Sequence, residues 1–129
     1  MMGEALDTTE AVTMLTMKEA ALSVAHLYEA LGGEVYVAEA YAVNGEGERC
    51  SGYQYGITAP SAERWCAAGA LAVAAGVGLE TARDYLRSAA TPDSFKNRDP
   101  ERINNLGITH AINLLRKAAR LNRYTPMRG

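Results

Sequence analysis

Between Trp65 and Val77 the chain runs for 13 residues without a charged or amide side chain, and most of the run is alanine and glycine. A helix with no polar face has to be enclosed by protein. The run is too short to cross a bilayer, which takes about 20 apolar residues. Its small side chains let neighbouring helices approach closely. The sequence therefore predicts a central helix over 60–75, with Thr58 as its cap and Pro60 in the first turn, where a missing N–H costs nothing. Gly76 and Gly78 end it. Gly69 inside that helix costs about 1 kcal/mol relative to alanine, a cost that close packing has to offset.

The partners of this helix are read from periodicity. Thr16 followed by Glu19 is a capping box. From there Met17, Ala20, Val24, Leu27 and Leu31 recur at helical spacing, with Ala21 and Tyr28 beside them, until Gly32-Gly33. This predicts a helix over 17–31. A third helix is expected over 79–90, buried through Leu79, Ala82, Leu86 and Ala89 and stopped by Pro92. A fourth is expected over 105–122, capped by Asn104 or Asn105, with Ile108, Ala111, Ile112, Leu115, Ala118 and Ala119 inward. The polar stretch 91–104 reads as a long connecting loop, a length that in small domains often carries function. Between the first two helices the period changes. Val35, Val37, Tyr41 and Val43 alternate into Asn44-Gly45, a strong hairpin signal. The return strand is expected over 48–57, with Tyr53, Tyr55 and Ile57 on one face.

Length and composition agree with this plan. The chain has 129 residues and 13.8 kDa, 48% apolar and 22% charged, which is one ordinary globular domain's worth. The expected fold is mainly α (α+β), about four helices around the alanine-rich central one with one small β-hairpin. Residues 1–15 are expected to be a flexible lead-in, 16–123 a single globular domain and 124–129 a flexible tail.

The net charge of −2 sets up no global attraction to nucleic acid or membrane, but the charge is sorted along the chain. Residues 1–48 carry nine carboxylates and only Lys18, whereas residues 96–129 carry eight basic groups against Asp99 and Glu101. Either the basic last helix, with Arg116, Lys117, Arg120 and Arg123, docks an anion or an acidic partner, or it faces the acidic first half, or both are simply solvated. The first residues lack a basic leader, and two cysteines are too few for a secreted disulfide scaffold. The cytoplasm is the expected compartment.

The run Ala62-Glu63-Arg64-Trp65-Cys66-Ala67-Ala68-Gly69-Ala70-Leu71 is the most distinctive motif in the chain. With an opening helix ending at Gly32, the turn at Asn44-Gly45, a loop bearing Asn97 and Asp99, and a last helix with Leu114, Leu115 and Ala118, it resembles a family of small uncharacterised domains of actinobacteria and their phages. The resemblance covers residues 18–121 in outline. That family usually shows Trp-Asn-Asp in its last loop, where this chain has Lys96-Asn97-Arg98-Asp99. The resemblance implies a mostly helical cytoplasmic protein of phage association and assigns no activity.

Catalytic signatures are absent from the sequence: there is no GxSxG, P-loop or GxGxxG. Cys66, read as lying a turn and a half into its helix beside Arg64, is a nucleophile only if its pKa is lowered; otherwise it is a small buried hydrophobe. Cys50, Cys66, His26 and His110 lack the close ligand pairs of a structural zinc site, so no metal and no cofactor are expected. Glu39 interrupts an apolar face, which either aims a carboxylate into a pocket or marks one polar residue on an edge strand. Tyr53 and Tyr55 near Arg49, with the basic loop Lys96, Arg98 and Arg102, form the best binding constellation, because aromatic faces and guanidinium groups suit bases and phosphates; Arg64, Trp65 and Asn97 are candidate binding residues beside it. The expected function is non-catalytic binding of a small anionic, nucleotide-like ligand or of a host protein, to modulate a host pathway. The alternatives are a small enzyme using Cys66 or a carboxylate, and a structural or assembly protein. Membrane and nucleic-acid partners are not expected; a homodimer is compatible with the small-residue helix.

Overall fold

The computed structural model of the chain describes residues 16–89 and 99–122. The lead-in 1–15, the tail 124–129 and the loop residues Asn97 and Arg98 lie outside them. Helix α1 (Met17–Leu31) starts where the capping box places it. The Glu19 amide donates to Thr16 Oγ1, and the Thr16 amide donates to Glu19 Oε1, each at 3.0 Å. Its buried face differs from the expected stripe. Ala20, Ala21, Val24, Ala25 and Tyr28 are buried, whereas Leu27 and Leu31 are 41% and 42% exposed. The face with three alanines is the one that permits close approach of α1 to its main neighbours, and the leucines beside it are left outside.

After a 3-10 turn at Gly32–Glu34 the chain extends and returns against Trp65. The Trp65 amide donates to the Val35 carbonyl at 2.8 Å, and the Val37 amide donates to the Trp65 carbonyl at 3.2 Å. Strand β1 (Ala42–Val43) pairs antiparallel with β2 (Arg64–Trp65), Ala42 opposite Trp65 and Val43 opposite Arg64. The small β element is present, but 48–57 is not its second strand. The Asn44 turn forms, its Oδ1 accepting from the Glu46 and Glu48 amides at 2.9 Å. The returning chain makes one bridge, Val43 to Arg49, and then leaves. It leaves because Tyr53–Gly56 closes into a tight turn, with Gly56 at φ 76° pressed on Cys50. A Cβ on Gly56 would stand 2.5 Å from the Cys50 Cβ.

This pairing delays the central helix. Helix α2 spans Ala67–Ala75, not 60–75, because residues 64–65 are held in the sheet, and Cys66 becomes its N-cap. Enclosure is as the composition requires: seven of its nine residues are buried. Gly76 ends it in the left-handed conformation. Helix α3 (Leu79–Arg87) is shorter than the expected 79–90. Residues 91–104 are not all loop. Asp99 caps a short helix α4 (Pro100–Asn105), with proline in the first turn. Consequently α5 (Ile108–Leu121) begins after Gly107, and neither Asn104 nor Asn105 caps it.

The fold is thus mainly helical, with five α-helices and one two-stranded antiparallel sheet among the described residues. The core runs continuously from α1 through α2 and α3 to α5, centred on Tyr28, Leu71, Tyr85, Leu86 and Leu115. Helix α1 packs most extensively on α5. Across that contact Arg116 Nη2 meets Glu29 Oε1 at 2.6 Å, an ion pair that joins the basic last helix to the acidic first half at this point. An exposed pair of this kind adds little stability. No described helix is long and apolar enough to cross a membrane.

Gly69 is where this packing is tightest. A Cβ there would stand 2.7 Å from the Tyr41 carbonyl oxygen and 3.3 Å from Ile57 Cγ2. Gly69→Ala is expected to lower stability by roughly 1–3 kcal/mol despite alanine's better helix propensity. A urea denaturation curve reads this; an unchanged or higher midpoint would contradict the tight contact.

Candidate functional site

Two amide side chains build the site by capping helices to which they do not belong. Asn104, 1% exposed, lies in the last turn of α4 and reaches the start of α2. Its Oδ1 accepts from the Ala67 amide at 3.0 Å, and its Nδ2 donates to the Val37 carbonyl at 3.1 Å. Its own carbonyl accepts from the Tyr36 hydroxyl at 2.5 Å. Gln54 Oε1 likewise accepts from the Leu79 amide at the start of α3, at 3.0 Å. Helix α2 is therefore capped by Asn104 and by Cys66, whose sulfur accepts from the Gly69 amide at 3.4 Å.

Between these anchored segments lies a cavity of about 390 Å³. Ala42, Cys66 and Asn104 are its buried residues; Glu39, Arg49, Tyr55 and Asn105 are exposed and form its rim; Ala40, Tyr41, Cys50 and Glu101 lie between. The Tyr41 and Tyr55 rings stack with centroids 5.0 Å apart. Behind them the Tyr41 hydroxyl donates to Glu101 Oε2 at 2.8 Å, and Arg83 Nε lies 2.5 Å from the same oxygen. Arg83 Nη2 donates to Glu101 Oε1 at 3.3 Å. Burial raises the Glu101 carboxyl above the usual range, and a hydrogen bond with the Asp99 side chain adds to this, against the opposing pull of Tyr41 and Arg83. Asp99 is correspondingly held low by that hydrogen bond. Tyr41 is raised, first by burial and then by Glu101.

The rim is strained. Four non-glycine residues among those described have positive φ. One, Asn122, ends α5. The other three are Glu39 (φ 65°), Gln54 (φ 53°) and Tyr55 (φ 61°). Glu39 is pinned from both sides: its amide donates to Asn105 Oδ1 at 2.7 Å, and its carbonyl accepts from Arg49 Nη2 at 2.8 Å. A bulky residue in the left-handed region costs of order 1–3 kcal/mol, persists only when its surroundings over-determine it, and such residues cluster at ligand sites.

Cys66 sits at a helix N-terminus, which lowers a thiol pKa. Burial outweighs the amide hydrogen bonds from Gly69 and Ala68, and the thiol is pushed up to about 11. Its place corrects the expected position inside the helix, and its protonation disfavours nucleophilic chemistry.

The expected binding residues are divided by the structure. Tyr55 lines the cavity, together with Arg49, Glu39, Cys50 and Cys66. Tyr53 is 79% exposed and does not line it. Arg64 lies in β2 and donates to the Asn44 carbonyl at 3.4 Å, away from the lining. Trp65 is structural: its indole N–H donates to the Ile57 carbonyl at 2.8 Å, and its own carbonyl accepts from the Tyr28 hydroxyl at 2.7 Å. Arg102 is exposed on α4 and outside the lining; Asn97 and Arg98 lie outside the described residues. Sequence reasoning missed Tyr41, Glu101, Asn104 and Asn105. Asp99-Pro100-Glu101 carries a helix-start signal, a capping acid before proline and an acidic first turn, that could have brought Glu101 forward. Among the described residues no cluster of three or more histidine, cysteine or acidic side chains could hold a metal.

Comparison with models of protein families, with curated proteins and with solved structures finds no match to this chain.

Iodoacetamide added to the folded protein near pH 8 is expected to label Cys50 well before Cys66, of which only about one part in a thousand is thiolate at that pH. Intact-mass spectra with peptide mapping read the order; labelling of Cys66 as fast as Cys50 would contradict its burial.

Proposed function

We propose that this protein is a non-catalytic binding protein whose ligand is a small planar molecule held in the cavity beneath Tyr55. The observation that carries the reading is the rim: the described non-glycine residues held at left-handed φ outside a helix end gather at one cavity, Glu39 and Tyr55 in its lining and Gln54 next to Tyr55 in the chain. A chain that maintains this strain at an open pocket is holding side chains ready for something. Volume supports the reading, since ligand pockets run from about 300 to 1,000 Å³, and so does the tyrosine pair, which offers an aromatic face.

Charge refines the ligand. Among the described residues Arg49 is the one basic residue in the lining, against Glu39 and Glu101, and Glu101 is matched by Arg83. The balance favours a neutral or zwitterionic ligand over a strongly anionic one. The raised Cys66 thiol favours binding over thiol catalysis. Both cysteines are free, in keeping with a reducing compartment such as the cytoplasm.

Native mass spectrometry of protein purified from cells, repeated under denaturing conditions, tests this. An added small-molecule mass that is lost on denaturation is expected, with Tyr55→Ala reducing its occupancy about tenfold through the loss of one stacking face. A bare chain in both spectra, or a ligand indifferent to Tyr55→Ala, would overturn it.

A further inference from the structure

We infer that the cavity takes a heterocycle bearing the 2-amino-4-oxopyrimidine edge shared by guanine and the pterins, its ring on Tyr55 and its donor edge on Glu39. The inference rests on the reading of this cavity as a ligand site and names the ligand class.

The polar groups facing inward are engaged. Asn104 uses both ends of its amide on Ala67 and Val37, and Glu101 is bound by Tyr41 and Arg83. The polar groups of the rim keep positions open. No described residue hydrogen-bonds or pairs with the Glu39 carboxylate, although the backbone of Glu39 is fixed at both its amide and its carbonyl. Arg49 uses Nη2 on the Glu39 carbonyl, leaving Nε and Nη1. Asn105 uses Oδ1 on the Glu39 amide, leaving Nδ2. A strained, doubly pinned residue thus carries an open carboxylate on a rim it shares with two side chains that keep open donors.

A carboxylate is filled best by two parallel N–H donors. Adenine and cytosine present a donor beside an acceptor on their pairing edges, and uracil presents a single donor between acceptors. Guanine presents N1–H and the 2-amino group side by side, with the O6 acceptor next to them, and the pterin ring carries the same three groups. The donor pair answers Glu39, and the oxo group answers Arg49 or Asn105. Stacking on tyrosine adds affinity to any base and discriminates little, so choice falls to the rim. With Arg49 set against two carboxylates among the described lining residues, the site suits the uncharged heterocycle with a small substituent better than a polyphosphate.

Isothermal titration of the full chain with guanosine, 6-hydroxymethylpterin, inosine and adenosine decides this. Inosine keeps the oxo group and lacks the 2-amino group. Guanosine or the pterin is expected to bind, the tighter of the two naming the source, with inosine and adenosine weaker by about tenfold or more. Glu39→Gln, a change at an exposed side chain, is expected to weaken the preferred ligand by a similar factor and to abolish its advantage over inosine, with circular dichroism unchanged. Silence from both guanosine and the pterin, inosine binding as well as guanosine, or indifference to Glu39→Gln would each overturn the inference. A cell-derived ligand lacking this edge, yet displaced by Tyr55→Ala, overturns the ligand class and leaves the cavity as a binding site; a cavity empty in that experiment overturns both.

Discussion

The Asn104 side chain ties together three stretches of chain that nothing local would bring into register. Its amide spans from the first amide of the alanine-rich helix to the extended segment at Val37, and its carbonyl receives the Tyr36 hydroxyl. An apolar helix such as α2 has no polar side chains with which to organise its own start, apart from the weak sulfur acceptor of Cys66. The cap is therefore supplied from α4. That cross-cap sets where α4 lies, and with it where Glu101 and Asn105 enter the cavity wall. Buried amides without partners cost free energy, so the geometry is an obligation of the α2 sequence as much as a choice of α4.

From that anchor the cavity follows by covering. Trp65 is held through its backbone on both sides and through its indole N–H, and β2 fixes Tyr41 and Ala42 against the start of α2. Gly69 leaves room for the Tyr41 carbonyl. The remaining opening is closed over in part by the turn Tyr53–Gly56, whose Gln54 is tied to α3. Strain at Glu39 and Tyr55 is thus held by contacts to α4, α3 and the Asn44 arm, not by the residues' own preferences. The same rigidity explains why the rim can leave a carboxylate and two donors open without losing their positions.

Much of the helical framework was legible in the sequence, and the reason is local. The capping box at Thr16 and Glu19, the glycine stops and the all-apolar character of Ala67–Ala75 each act within a few residues. What was not legible depends on partners distant in sequence. Leu27 and Leu31 satisfy the periodic stripe, yet the smaller residues beside them win the interface because close helix approach favours alanine. The turn is legible in Asn44-Gly45, but the strand partner of Ala42–Val43 lies at Arg64–Trp65, across a connection that no hairpin rule describes. In the cavity, Glu39, Tyr55, Arg49 and Cys66 were singled out from chemistry alone. Tyr41, Asn104 and Asn105 were not, because a tyrosine in a strand and an asparagine near a helix end have many ordinary uses.

The role given to Asn104 is tested most directly by amide hydrogen exchange in Asn104→Ala, read by NMR against the parent chain. With its acceptor removed, the Ala67 amide is expected to exchange about tenfold faster or more, and the segment from Val35 to Ala42 to lose protection with it, because each orphaned group costs about 1–3 kcal/mol. Amides in the middle of α5, which Asn104 does not touch, are expected to stay protected. Unchanged protection at Ala67 and across 35–42 would contradict the account, showing that the start of α2 and the cavity wall hold their places without this clamp.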